Sequence, residues 1–185
     1  MKKGIIILAA LLGCAVTAGA QRFSVSTNVP DWAFLGTANV KGEVAISNNW
    51  SLETGLRYNP WTWREGDPDR QMEDRKVTLS ESVRWWPWTV YTEWWLSGGV
   101  QWEQYNRGGI WGRTTEEGDA YGFRFGAGYT FMLMEHFNVE VGLGAWAGKK
   151  NYRVYRCPYC GRLDEEGEKF FVLPNEAVLS LVYVF

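Results

Sequence analysis

Histidine is nearly absent from this chain, and that scarcity bears directly on catalysis. Only one of the 185 residues is a histidine, His136. A side-chain nucleophile that is activated by a neighbouring base usually depends on a histidine, and His136 is predicted to lie in a short turn. The acidic pairs Glu116-Glu117 and Glu165-Glu166 are most simply interpreted as solvated loop charge. We therefore expect no catalytic residues and no enzymatic activity.

Cysteine is also scarce, which limits the possible metal sites. A closed structural zinc site needs four ligands, whereas Cys157-x-x-Cys160 supplies two and His136 is predicted at the opposite end of the molecule. A redox C-x-x-C motif usually accompanies a βαβ pattern, which the sequence lacks. We expect no metal and no cofactor. A disulfide between Cys157 and Cys160 is favoured for an exported chain, and free thiols are the alternative in a reducing setting.

Long apolar runs are missing as well. The longest, residues 4–16, covers about 13 residues, too few for a helix that crosses a bilayer. It follows two lysines at residues 2–3 and precedes Ala-Gly-Ala at residues 18–20, the pattern of a secretory signal peptide. We expect cleavage after residue 20, which leaves one domain over residues 21–185. A lipid-modified N-terminus at Cys14 is the alternative.

Basic charge is not in excess. The chain has 19 Lys and Arg residues against 21 Asp and Glu residues, for a formal net charge of −2. No basic patch suggests a nucleic-acid partner. The 21 glycines alternate along predicted strands and form no phosphate-binding loop.

What the chain does contain is alternation with a period of two. Over residues 120–131 the odd positions are almost all aromatic, while the even positions are small apart from Arg124. Such alternation predicts a β-strand. Weaker versions predict seven more strands, at 22–29, 38–46, 51–58, 77–86, 93–103, 137–148 and 177–185. No helical pattern is present outside the signal peptide, so the predicted fold is all-β.

The predicted connections alternate in length along the chain. Three of them are short: 47–49, 87–92 and 132–136. Three are long and charged: 61–75, 104–119 and 153–174. An even number of strands of about 9–11 residues, with short turns at one end and long loops at the other, is typical of bacterial outer-membrane proteins. We therefore predict an eight-stranded antiparallel up-and-down transmembrane β-barrel, a closed form that leaves no exposed sheet edge.

The two faces of the strands favour the membrane interpretation. The polar face carries charges of both signs, which can form a paired network in a narrow lumen because a buried charge needs a partner. The predicted network comprises Lys41, Glu43, Glu53, Arg57, Arg84, Glu93, Glu103, Arg124 and Glu140. Aromatic residues gather near strand ends, as they do at membrane interfaces. These are Tyr58, Trp61, Trp63, Trp85, Trp86, Trp88 and Trp94. Core aromatics of a soluble barrel are the alternative.

Several short motifs, taken in order, also resemble a known family. They are Thr27-Asn28, Asn39-x-x-x-Glu43, Tyr58-Asn59-Pro60-Trp61, Tyr105-Asn106 with Gly109-Ile110, and Cys157-x-x-Cys160-Gly161. Together they resemble the domain of unknown function 3575 family, small outer-membrane barrels chiefly of Bacteroidota. The resemblance covers the whole mature chain and implies a barrel, an outer-membrane location and a setting beside genes for fimbriae or other surface assemblies. It implies no activity. Residues 29–32 depart from the apolar run expected after Thr-Asn.

These observations favour a structural or interaction role. Eight strands enclose a lumen just wide enough for side chains, which disfavours a diffusion pore. The long loops are rich in Trp, Tyr, Arg and Glu, and exposed aromatics with arginine suit protein recognition. We expect a scaffold or subunit of a cell-surface assembly, in contact with outer-membrane lipid and other surface proteins. A lipid-active barrel enzyme and a soluble exported binding barrel are the alternatives.

The cysteine pair can be tested on the purified protein. If Cys157 and Cys160 form a disulfide, mass spectrometry without reductant should show the chain two hydrogens lighter than its dithiol form. Full alkylation of both residues without reductant would instead show free thiols.

Overall fold

The computed structural model describes residues 23–65, 67, 71–110, 112, 114–156 and 162–185, which form nine strands and one short helix. The strands are β1 (Phe23–Asn28), β2 (Ala38–Ala45), β3 (Trp50–Asn59), β4 (Thr62–Trp63), β5 (Met72–Trp85), β6 (Glu93–Gly108), β7 (Thr115–Met132), β8 (Phe137–Tyr155) and β9 (Leu163–Val184), and the helix α1 is Val29–Ala33. The prediction of an all-β fold is confirmed. The signal-peptide prediction and the pair Cys157 and Cys160 lie outside the described residues.

The strands form one antiparallel sheet that closes on itself. Its order is β3-β2-β1-β9-β8-β7-β6-β5-β4, and β3 also pairs with β5 over Trp50–Asn59 and Lys76–Trp85. Eight strands therefore make a ring, while the two-residue β4 lies beside the end of β5. Within the described residues no helix is long and apolar enough to span a bilayer.

The ring has two unlike ends. Connections 46–49, 86–92 and 133–136 lie at the turn end, with both ends of the described chain. At the other end, the loop end, β1, β3, β6 and β8 finish and β2, β5, β7 and β9 begin. This alternation follows the predicted arrangement of connections, because each strand runs antiparallel to its neighbours.

Side chains alternate between the outside and the inside of the ring. In β7 the rings of Phe123 and Phe125 are 64% and 59% exposed, while Arg124 between them is 6% exposed. The Arg124 guanidinium lies 3.7 Å from the Glu53 carboxylate of β3, a strand that is not its neighbour. Such contacts across the ring show that the polar face points inward, because successive residues of a strand face opposite sides.

Five of the strands extend well beyond the ranges that the sequence pattern predicted, and one of them, β5, begins at Met72 inside the predicted loop 61–75. The regions 104–119 and 153–174 were predicted as long loops, but β6 continues to Gly108, β7 begins at Thr115, β8 ends at Tyr155 and β9 begins at Leu163. The loop prediction was wrong there because most of these extensions carry polar residues on both faces, while residues 170–173 of β9 are four consecutive apolar residues without alternation. An alternation of apolar and polar residues exists only where one face is removed from water.

The extension of β9 changes phase at a β-bulge. Gly144 pairs with Glu176 and Ala145 pairs with Pro174, so Asn175 is the extra residue. On the turn-end side of the bulge the even-numbered residues of β9 are buried. On the loop-end side Phe171 is buried and Val172 is exposed. A bulge inserts one unpaired residue and reverses the facing of all residues beyond it.

The connection 86–92 folds into the turn end of the ring. Trp86, Val90, Tyr91 and Trp95 are buried there, and they pack against three valines on the inner face of β9. Those valines are Val178, Val182 and Val184. The backbone N–H groups of Trp86 and Val90 donate to the carbonyl oxygens of Asn49 and Asn48, both at 2.9 Å. This apolar plug explains why the inner face of the last strand is apolar.

At the loop end Asn28 ends β1 and lets the chain leave the sheet. Its side-chain Oδ1 accepts the N–H of Leu179 at 2.9 Å, and its Nδ2 donates to the carbonyl oxygen of Ala177 at 3.2 Å. Its backbone N–H donates to Asn39 Oδ1 at 2.6 Å. The side-chain amide of Asn28 thus makes the hydrogen bonds to β9 that the backbone of β1 would make if the strand continued, and α1 begins at the next residue. Residues 29–32, which depart from the family pattern, belong to α1.

We expect Asn28→Ala to lower the free energy of unfolding by about 1–3 kcal/mol, because it leaves part-buried backbone groups of β9 without partners. Urea unfolding followed by tryptophan fluorescence measures the change. Thr92→Ala is the matched control, since its hydroxyl donates to the carbonyl oxygen of Thr89 at 2.6 Å in an exposed turn at the turn end, where water can replace that bond. Equal losses in the two variants would contradict this role of Asn28.

Candidate functional site

The interior of the ring holds a first charge cluster around Arg84 of β5. Arg84 Nη1 lies 2.6 Å from Glu43 and 3.5 Å from Glu53, and Nη2 lies 3.0 Å from Glu140. Ser51 donates a hydrogen bond to Glu43. Four strands therefore converge on one guanidinium, whose several donors in a plane suit multiple carboxylates.

Arg84 is also held between two aromatic rings. Its guanidinium lies 4.6 Å from the ring centre of Trp86 and 4.2 Å from that of Trp95. The Trp95 ring in turn lies against the backbone of Gly128 and Gly142, where an added Cβ would come within 2.4 Å and 3.1 Å of the ring. The glycines on the inner face therefore make the space that Trp95 occupies.

A second charge cluster surrounds Glu176 of β9. Glu176 Oε1 lies 2.7 Å from Lys41 Nζ and 2.9 Å from Arg57 Nη2, and Oε2 accepts a bond from Arg124 at 2.9 Å. Arg57 also reaches Asp31 of α1 at 3.0 Å. Arg124 joins the two clusters, because it approaches Glu53 as well.

Beyond the second cluster, towards the loop end, lies an aromatic layer and then more charge. Tyr105, Trp146 and Phe171 are buried together, and the rings of Trp146 and Phe171 meet edge to face with centres 4.7 Å apart. A further network then joins four charged residues. Arg107 lies 2.7 Å from Asp74 and 2.6 Å from Glu103, and Lys76 lies 2.6 Å from Asp74.

These layers fill the ring. A cavity between the two charge clusters has a volume of only about 10 Å³ and is lined by residues that include Lys41, Trp95 and Glu176. A single water needs at least about 10–15 Å³. Within the described part of the chain the middle of the ring is thus packed with side chains.

At the loop end the ring opens into a cup of about 910 Å³, lined by residues that include Asn59, Tyr105, Gly118 and Tyr152. Near its floor Glu116 accepts hydrogen bonds from Tyr105 at 2.7 Å and from Lys150 at 2.5 Å.

Burial alone would raise the pKa of Glu116, but the bonds from Lys150 and Tyr105 outweigh it and lower that pKa. The stabilisation from the Glu116 contacts is present above the ordinary carboxyl pKa and is lost as the pH falls through the lowered one.

Eight of the nine residues predicted for a charge network lie in the interior. They are Lys41, Glu43, Glu53, Arg57, Arg84, Glu103, Arg124 and Glu140. The ninth, Glu93, does not join them and is exposed at the start of β6. Tyr91 and Glu93 have φ angles of 69° and 57°, so the chain turns sharply there and the alternation extrapolated from β6 does not hold.

Six of the seven predicted interface aromatics are exposed on the outside. Tyr58, Trp61 and Trp63 lie at the loop end, and Trp85, Trp88 and Trp94 lie at the turn end. Trp86 was wrongly assigned to this group, because it is 0% exposed and belongs to the plug. Its position after Trp85 at the end of a strand places it on the inner face, where its Nε1 donates to Ser51 Oγ at 2.8 Å.

The most important residue that sequence reasoning missed is Glu176, the centre of the second cluster. It lies one residue before the predicted final strand. Extending the inward phase of Val178 and Ser180 by two residues would have placed an acidic side chain inside the ring. Asp74 was missed for a different reason, since it lies in a region predicted as a loop.

Metal-binding groups are sparse in the structure. The described ranges contain no group of three or more His, Cys, Asp or Glu side chains that could hold a metal ion. His136 lies in the connection 133–136, as expected. Its Nδ1 is 2.9 Å from the carbonyl oxygen of Val184, and its ring stacks on Tyr183 at 5.8 Å. His136 therefore links the connection 133–136 to the end of β9.

A family model described as "Protein of unknown function (DUF3575)" matches residues 5–185. The chain belongs to this family. The match covers essentially the whole sequence and confirms the resemblance that the motifs indicated. No curated protein and no solved structure matches the chain. Three of the family-like asparagines, Asn28, Asn39 and Asn59, are buried at the loop end, where their side chains bind backbone or side-chain groups of adjacent segments.

We expect Arg84→Met in this DUF3575 protein to cost about 3–5 kcal/mol of unfolding free energy, because three buried carboxylates lose their shared counter-charge. Urea titration with fluorescence detection measures it. Lys149→Met is the matched control: Lys149 pairs with Glu168 at 2.8 Å, but both side chains are more than half exposed, so its loss should be below about 1 kcal/mol. Similar losses would show that the Arg84 cluster contributes no more than a surface pair.

Proposed function

We propose that this chain is a small β-barrel of the bacterial outer membrane that acts as a scaffold or subunit of a cell-surface assembly and has no enzymatic activity. The observation that carries the proposal is its inverted polarity. Among the described residues 23 buried side chains are polar or charged and 11 are apolar, while the large apolar side chains are mostly exposed. A soluble barrel places its apolar face inside, and a membrane barrel places it outside.

The exposed apolar surface has the height that a bilayer requires. On β6 it runs from Trp94 through Leu96 and Val100 to Trp102, and Gln104 follows on the same face. On β8 it ends before Lys149. Nine residues of tilted strand match the 9–11 that cross the hydrocarbon core. The aromatic residues at both ends of this apolar band support the proposal, because aromatic girdles mark membrane interfaces.

The interior supports a structural role over transport or catalysis. Two charge clusters, an aromatic layer and the apolar plug occupy the ring. A lipid-active barrel enzyme would need an apolar tunnel for an acyl chain, and this interior is charged. Since the charges neutralise one another, the layers serve to hold the strands together.

The loop end offers the surface for interaction. The parts of β6, β7, β8 and β9 nearest the loop end rise beyond the apolar band, and they would stand outside the membrane as a wall around the cup. Exposed aromatic residues surround this end, including Trp32, Phe34, Trp61 and Trp63. Exposed aromatics are enriched in protein interfaces, so the wall and its rim suit contacts with other surface proteins.

We expect the protein to fractionate with the outer membrane and to migrate differently on a gel when it is not boiled, because a closed barrel resists detergent until heated. A chain that is extracted as a soluble periplasmic protein would contradict the membrane location. These two assays test the fold and the location together.

A substitution makes the test sharper. Phe125→Arg should lower stability in lipid vesicles by about 2–4 kcal/mol, because it places a charge at mid-height on the lipid face. Asp119→Arg is the control, since Asp119 lies on the same face of β7 beyond the apolar band. A soluble barrel would tolerate both, because both positions would face water.

A further inference from the structure

The upper half of β9 has an unpaired edge. β9 pairs with β8 from Leu163 to Tyr183, but it pairs with β1 only from Ser180 to Val184. Asn28 extends that contact to Ala177. Above this point no other described strand lies along β9, and residues 165–173 are exposed except Phe171. Closure of the ring therefore leaves no free edge on β9 near the turn end, but it leaves one side of β9 unpaired near the loop end.

The corresponding edge on the other side of the wall is covered. β5 extends further toward the loop end than β3 does. There β4 pairs with β5 through Thr62↔Glu73 and Trp63↔Met72. Above Ala177 no described strand pairs with this side of β9, although the short helix α1 lies beside part of β9. An uncovered edge exposes backbone N–H and C=O groups that can pair with another extended chain.

Two irregularities bound the regular part of this edge. The register with β8 shifts between Val154 and Tyr155, opposite Asp164, and again at the bulge of Asn175. Pro174 has no backbone N–H to donate. Residues 165–173 between these points form a regular extended segment of nine residues, long enough to pair with one added strand.

The side chains of this segment describe the chemistry of the strand that would fit. Glu166 and Glu168 share the outer face with Phe170 and Val172, since alternate residues face one side. The pairs Arg153–Glu166 at 3.7 Å and Lys149–Glu168 at 2.8 Å are highly exposed, so they hold the acids weakly. An added strand would meet two acids and then two apolar side chains.

We propose that residues 165–173 of β9 accept an extended segment of a partner protein as an additional antiparallel strand, one that places two basic residues opposite Glu166 and Glu168 and two β-branched residues opposite Phe170 and Val172. The inference rests on the proposed function, since it names the kind of partner that a surface scaffold would hold. Backbone pairing supplies the attachment, and the charges select the register.

A second copy of the chain is a poorer occupant of the same edge. Two copies in one membrane have the same orientation, so their β9 edges would run parallel and bring Glu166 and Glu168 beside their own counterparts. Like charges placed opposite each other destabilise strand pairs. The two acidic residues thus disfavour pairing of this edge with a second copy, and charged residues commonly have this effect on exposed edge strands.

The test uses the full-length barrel folded in detergent micelles and a synthetic peptide as probe. The peptide Thr-Val-Thr-Ile-Thr-Lys-Ser-Lys-Thr places Val opposite Val172, Ile opposite Phe170, and its lysines opposite Glu168 and Glu166. A control peptide carries Glu in place of both Lys. Fluorescence anisotropy of the labelled peptides measures binding, and hydrogen exchange with mass spectrometry locates the protected amides.

We expect saturable binding of the lysine peptide and slower exchange in residues 165–173. The double variant Glu166→Lys/Glu168→Lys should weaken binding about tenfold, because two cross-strand pairs change from attractive to repulsive, and it should bind the glutamate peptide instead. Glu117→Lys/Asp119→Lys is the matched control, since it makes the same charge change on β7, which is paired on both sides. That variant should behave like the native chain.

Three outcomes would overturn the inference. They are no binding of the lysine peptide, binding without protection of 165–173, and protection of 165–173 by self-association without peptide. Gel migration before and after boiling is recorded on the same samples. A heat-modifiable barrel that fails to bind peptide rejects the strand addition alone, whereas a chain that is soluble without detergent rejects the proposed function.

Discussion

The structure depends on charge neutralisation inside a closed ring. Arg84 and Glu176 each hold three opposite charges from different strands, and Arg124 joins the two clusters through Glu53. Removing so many ionised groups from water is costly, and only mutual pairing offsets that cost. Because the partners lie on strands far apart in sequence, the clusters form completely only when the ring is closed. The same residues therefore link closure of the sheet to the burial of its polar face.

Packing at the two ends of the ring serves different purposes. At the turn end the connection 86–92 covers the charges with an apolar plug. At the loop end the asparagines, α1 and the extended strands leave an open cup and an uncovered edge on β9. The sealed turn end and the open loop end agree with the proposed function, in which only the loop end presents a surface to partners.

The sequence predicted the parts of the fold in which one face is apolar. Strands around Phe123, Val100 and Val141 were recognised because one of their faces is apolar and the other is polar or small, which gives the sequence a period of two. The extensions near Glu116 and Glu165 were missed because polar and charged residues stand on both of their faces, so those acids were interpreted as loop charge. The bulge at Asn175 is a matter of register, and register depends on partner strands that sequence alone does not place.

The interior charges were largely predicted, but their grouping was not. Alternation assigns a residue to a face, while the distance between Arg84 and Glu140 depends on how eight strands close. The assignments of Glu93 and Trp86 were wrong for a shared reason. Both residues lie at strand ends next to the folded connection 86–92, where regular alternation stops. Tryptophan at a strand end can face lipid or the lumen, and the difference of one residue decides which.

Whether the apolar face meets lipid can be measured with spin labels placed singly at residues 120–131 of β7 in lipid vesicles. Accessibility to oxygen and to a water-soluble nickel complex should alternate with a period of two. If the aromatic face lies in lipid, we expect high oxygen and low nickel accessibility at Tyr121, Phe123 and Phe125, and low oxygen accessibility at Gly122 and Arg124. High nickel accessibility at the three aromatic positions would contradict it.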